Sequence, residues 1–153
     1  MRFFLPPLLI LPLMAMAWLG CSSDTGGPEV LNTRTVTLPG GQKIRAEVEV
    51  TQVDMRKGMM FRDSLPQGHG MLFIHDEPGL YPYWMFQCRI PLDMLWMDPQ
   101  HKIVEISADT PPCRDAAEKC PNYGGHEQAQ YVLELGGGEA KRLGLKVGQT
   151  LDF

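Results

Sequence analysis

The side chains able to do chemistry crowd into one stretch, Tyr83–Met97, where Cys88, Arg89 and Asp93 interrupt a run of tryptophans and methionines. Asp93, together with Arg56 and Arg62, is a charge set among apolar neighbours. An arginine fork can hold a carboxylate or sugar hydroxyls in two parallel hydrogen bonds. The same groups could instead brace a sheet, with Arg62 paired to Asp93 or to a C-terminal carbonyl; breaking such a buried pair costs ~3–5 kcal/mol. Tyr83, Trp84, Met85 and Trp96 offer rings and thioethers for stacking a sugar or an aliphatic ligand. In alternating strands some of them must also fill the core. This pattern points to a small polar ligand, a saccharide or envelope component, held by Arg56, Arg62, Tyr83, Trp84 and Asp93. A second possibility is glycoside hydrolysis by a carboxylate pair, Asp93 and Glu134.

Other chemistries find less support. The sequence has no Gly-x-Ser-x-Gly elbow, no His-Glu-x-x-His and no phosphate-cradling glycine loop. No catalytic side chain and no cofactor is therefore assigned. Cys88 with the methionines and histidines could suit Cu(I) or redox chemistry, because soft sulfur ligands favour that ion. The methionines are scattered, as gap-filling core residues are. Cys113 and Cys120, with six residues between them and His126 nearby, are poorly spaced for zinc. No metal site is expected.

A net charge of −4 argues against a nucleic-acid partner, which needs a basic face to displace phosphate counterions. The N-terminus suggests a membrane partner instead. Arg2 precedes the uncharged run Phe3–Leu19, which carries Pro6, Pro7 and Pro12 and is short for a bilayer span. Trp18-Leu19-Gly20-Cys21 resembles the lipobox of a bacterial lipoprotein signal, although Trp18 departs from the usual aliphatic residue. That resemblance implies an exported chain, cut before Cys21 and acylated there, with residues 21–32 as a tether. Ser22, in place of an aspartate, implies the periplasmic side of the outer membrane in a Gram-negative cell. In such an oxidising space Cys113 and Cys120 are expected to form a disulfide. Cys88 is left over, as an inert, pairing or reactive thiol.

Residues 33–153 read as one domain. Thr35–Leu38 and Lys43–Val50 alternate apolar and polar around Pro39-Gly40-Gly41, which predicts a hairpin. Thr51-Gln52-Val53-Asp54 resembles a capping box, so a short helix is expected from Thr51 to a stop at Gly58. Further strands are expected at Met71–Ile74, Tyr83–Phe86, Met94–Met97, Ile103–Ile106, Tyr131–Leu135 and Thr150–Phe153. A turn is expected at Asp76–Gly79, and a single helical turn over Glu139–Leu143 before Gly144. Short strands with little helix predict a mainly β sandwich or barrel.

Several ordered blocks add a family resemblance: Arg56-Lys57-Gly58-Met59-Met60-Phe61-Arg62, Gly70-Met71-Leu72-Phe73, Trp84-Met85, Ile90-Pro91-Leu92-Asp93 and Tyr131-Val132-Leu133-Glu134-Leu135. Together they resemble the bacterial and archaeal domain of unknown function 192, from about residue 34 to the C-terminus. The resemblance implies a small, mainly β domain, often exported or lipid-anchored, and carries no settled activity. Gln87-Cys88-Arg89 stands where the family usually has Lys-Asn-Thr, so no role is carried over at those positions.

Overall fold

The computed structural model describes Met1 and residues 32–153; Cys21 and nearly all of the expected tether lie outside the described residues. Among those described, no helix is long and apolar enough to cross a membrane.

The predicted hairpin forms from β1 (Thr33–Thr37) and β2 (Lys43–Glu49), paired antiparallel. Its turn closes through Gly41, whose φ of 82° suits glycine. Helix α1 (Gln52–Lys57) begins where the sequence says it should, because Thr51 Oγ1 accepts the Asp54 N–H. It leads into β3 (His69–Gly79), which runs parallel to β2. Then follow β4 (Tyr83–Trp84), β5 (Leu92–Met97) and β6 (Ile103–Thr110). A 3-10 turn (Ala117–Lys119), β7 (Asn122–Tyr123), β8 (Ala129–Gly136) and α2 (Glu139–Arg142) complete the elements.

Six strands make one mixed sheet in the order β1-β2-β3-β8-β5-β6, while β4 and β7 pair separately. The sheet is not closed into a barrel; both faces are covered, giving a sandwich-like, mainly β domain. One face packs Ile44, Leu72, Leu95 and Leu133 against Ala140, Leu145 and Leu151. The other packs Met71, Phe73, Met94, Trp96 and Val132 beneath Met59 and Met85. β5 is buried at all six positions, which explains why Leu92–Met97 shows no apolar–polar alternation.

Two expectations need correction. Asp76–Gly79 does not end β3 but belongs to it, past an irregularity between Ile74 and Gly79. The last residues make isolated bridges rather than a strand, Thr37 to Asp152 and Lys102 to Thr150. They thereby tie the two outer strands' ends to one segment, with Asp152 N donating to Thr37 O (3.0 Å) and Ile103 N to Gln149 O (2.8 Å).

Candidate functional site

Strand register places one row of residues straight across the second face: Glu47 opposite Met71, Met71 opposite Glu134, Glu134 opposite Met94. Glu134 therefore sits at the centre of the sheet, among thioethers and aromatic rings. It is 4 % exposed, and its Oε2 has no hydrogen-bond partner. Burial pushes its carboxyl up to about 8, against the opposing pull of the Arg62 guanidinium. A buried polar atom without a partner costs roughly 1–3 kcal/mol, so native proteins rarely keep one without cause. A small cavity of about 20 Å³ adjoins it, lined among others by Met59, Phe73, Tyr83, Trp84 and Cys88. That volume holds one water-sized group.

The roof over this cavity is built locally. Gly58 stops α1 at φ 42°, and its Cα lies so close to the Phe73 ring that an added Cβ would meet Cζ at 3.2 Å. The β4 segment is held down by the loop after β6: Cys113 N donates to Met85 O (3.0 Å) and Gln87 N to Cys113 O (3.2 Å). Cys113 and Cys120 form the expected disulfide, with Cα atoms 5.8 Å apart. Closing so short a loop contributes about 2–3 kcal/mol. Replacing both cysteines by serine is expected to lower the unfolding free energy by about that amount, measurable by urea denaturation.

Outside the cavity two grooves meet at Trp84 and Arg56. One, about 290 Å³, is lined by Met55, His75, Tyr81, Tyr83 and Asn122. The other, about 520 Å³, is apolar, with Val53, Met60, Phe61 and Phe86 on its walls. Val53 and Phe61 are exposed, and Phe61 holds a φ of 64°, unusual for a bulky side chain. Arg56 is exposed and makes no ion pair among the described residues.

Arg56, Tyr83 and Trp84 are thus brought together as the sequence suggested. Tyr83 is the least free of them: it packs edge-on against Phe73 (5.1 Å) and Trp96 (5.9 Å), and its hydroxyl lies 3.1 Å from His75 Nε2. Arg62 is committed elsewhere than expected. Its fork takes both oxygens of Glu47, at 2.7 and 2.6 Å, not Asp93 and not a C-terminal carbonyl. Both side chains are partly exposed, so the pair fixes geometry more than it adds stability.

Asp93 stands apart from the site. It opposes Leu135 and shares the first face of the sheet with Leu95 and Met97. Fully buried, it accepts the backbone N–H groups of Asp109 (2.6 Å), Gly138 (3.1 Å) and Ala140 (2.6 Å). It is a knot joining the end of β6 to the entry of α2. Glu134, paired with Met94, points to the opposite face. Two carboxylates separated by the sheet cannot flank one glycosidic bond, so the hydrolytic pair fails on geometry.

The sulfur alternative also loses its premise. Cys88 is a free cysteine, 5 % exposed, and burial pushes its thiol up to about 12. Only a thiolate reacts or binds a metal. We expect native Cys88 to alkylate with iodoacetamide at pH 8 at least about a hundredfold more slowly than in the unfolded chain. Among the described residues, no three His, Cys, Asp or Glu side chains gather as a metal site.

What sequence reasoning missed is the place of Glu134 at the centre of the site, and of Glu47 beside it. The signal was present: one carboxylate inside the otherwise apolar strand Tyr131–Leu135.

Solved structures of similar proteins exist. A protein of unknown function from Novosphingobium aromaticivorans matches at 29 % identity and a TM-score of 0.70, over 79 % of this chain and 85 % of that one. A Sinorhizobium meliloti protein, provisionally named a transcription regulator, matches at 30 % identity and a TM-score of 0.67, over 77 % and 89 %. No curated protein matches. The family model for domain of unknown function 192, described as an uncharacterized ACR, matches residues 35–153. The chain belongs to that family.

Proposed function

We propose that this chain is an extracytoplasmic binding module, tethered to a membrane through an acylated Cys21. Its small ligand, a saccharide or other envelope component, enters between α1 and β4 and reaches down to Glu134. The observation that carries this reading is the unpartnered Oε2 of a carboxyl buried at the sheet's centre, beside a cavity. Asp93 supplies the contrast: an equally buried carboxylate in the same fold that three N–H groups satisfy. A ligand group would complete Glu134 as backbone completes Asp93. The aromatic and basic side chains at the mouth, Trp84, Tyr83 and Arg56, supply stacking and a charge for its outer part. The acidic balance of the chain supports a ligand other than nucleic acid.

Two experiments test this. The full chain, labelled at its methionine methyls with ¹³C, is screened against envelope saccharides and small amphiphiles. Shifts at Met55, Met59 and Met60 without movement of Met97, which lies in the opposite core, are the expected result. A library that moves none of them contradicts the reading. For the tether, Cys21→Ser should move the protein from the membrane fraction to the soluble one; an unchanged distribution contradicts acylation at Cys21.

A further inference from the structure

The site's chemistry narrows the ligand, and this inference rests on the binding reading above. We propose that the cavity beside Glu134 receives the ammonium group of an amphiphilic amine, whose apolar part lies in the groove walled by Val53, Met60, Phe61, Trp84 and Phe86.

Three observations converge. The cavity is the size of one small group, and an ammonium is about that size. Its polar group is a carboxyl with one oxygen unpartnered, while Phe73, Tyr83, Trp84 and Phe86 line the same space. Rings around a carboxylate are what a desolvated cation requires, since ring faces attract positive charge. The adjoining groove, about 520 Å³, is almost wholly apolar and keeps Val53 and Phe61 in solvent. A saccharide would find few partners there; a hydrocarbon would cover both.

The surrounding charges agree. On β2, Glu47 and Glu49 face this side, and Glu47 already holds the Arg62 guanidinium. On α1, Arg56 and Lys57 border the cavity, but they and Asp54 are exposed, so water screens their charges. From β3 comes His75, which desolvation keeps toward its neutral form, and from β4 the Tyr83 hydroxyl, which burial keeps neutral. Cys88 is likewise protonated. No unpaired buried cation competes with the ligand among these groups.

Binding then releases a proton. With its carboxyl titrating near 8, free Glu134 is mostly neutral at pH 7 and must ionise to meet an ammonium. The proton leaves to solvent as the ion pair forms. Affinity should weaken about tenfold for each pH unit below 8 and level off above it. A neutral ligand of the same shape should show no such dependence.

The test compares cyclohexylmethylamine with cyclohexylmethanol on the full chain, read through the methionine methyls at pH 6, 7 and 9. The amine should shift Met59 and Met60 more strongly than the alcohol, and tighten with pH. Glu134→Gln should weaken the amine at least about tenfold at pH 9 and abolish its pH dependence. Equal binding of amine and alcohol, or an amine indifferent to Glu134→Gln, overturns the inference and leaves the binding reading standing. Saccharide hits with a silent amine do the same. Silence from every compound overturns both.

Discussion

Replacing Asp93 by alanine is expected to lower the unfolding free energy by about 3–5 kcal/mol, the largest loss of any single substitution considered. The reason is the number of donors it would orphan. Asp109 N, Gly138 N and Ala140 N all point at this one carboxylate, and the residue is fully buried. Each unsatisfied buried N–H costs roughly 1–3 kcal/mol, with some recovery where water can enter. The loss should be structural, spreading to the α2 entry and the end of β6. Asp93→Asn keeps one acceptor oxygen but turns an amide donor toward other donors, so it should fall between alanine and the wild type. Urea denaturation at neutral pH measures the difference. A loss below about 1 kcal/mol would mean that water or rearranged loops replace the carboxylate, contradicting its role as the knot.

The second large effect has the opposite sign. Glu134→Gln should stabilise the protein above pH 8. The folded-state carboxyl titrates near 8, above its ordinary value of 4.5. Between those two pH values the folded chain keeps a proton that the unfolded chain has released. The stability from this group is therefore complete below about 4.5, falls as pH rises, and is gone above about 8. The slope is about 1.4 kcal/mol per pH unit, on the order of 3–5 kcal/mol in total. Glutamine carries no charge to bury, so the variant should lack this decline. Glu49 is raised by burial and by Asp54 and Glu47, and His75 is lowered by burial; both add their own pH dependence. The difference between wild type and variant cancels most of that background. Parallel stability curves from pH 5 to 9 would contradict an unpartnered, desolvated Glu134.

These two carboxylates also show where sequence reading stops. Alternation in Lys43–Val50 and the capping pattern at Thr51 announced the hairpin and α1, because local periodicity and capping are decided by neighbours in the chain. Ile44, Ala46 and Val48 face the core as alternation required, while Val50, past the end of β2, is exposed. Asp93 and Glu134 both looked like polar interruptions of apolar strands, and nothing local told one from the other. The distinction arises from register. β5 pairs with β8 so that Asp93 meets Leu135 and Glu134 meets Met94, which sends the carboxylates to opposite faces. A shift of β5 by one residue against β8 would have brought both to one face. Arg62 was misassigned for the same reason: its partner Glu47 is brought under it by the parallel pairing of β2 with β3, a long-range event. On the polar face of β2, Lys43 and Arg45 are exposed while Glu47 and Glu49 are half-buried, a difference alternation alone does not show.

The same chemical group, a buried carboxyl, thus occurs in two environments. Asp93 is satisfied by backbone and holds loops; Glu134 is left open beside a cavity. Keeping Glu134 open costs stability at neutral and alkaline pH, a cost that the proposed binding role would account for.

The most direct test of that account is the titration of the Glu134 side-chain carboxyl itself, followed by ¹³C NMR in the ligand-free chain and assigned with Glu134→Gln. The account predicts a midpoint near 8. A midpoint in the ordinary range, about 4–5, would mean that the carboxyl is solvated or already partnered, and would contradict the assignment of this cavity as the binding site.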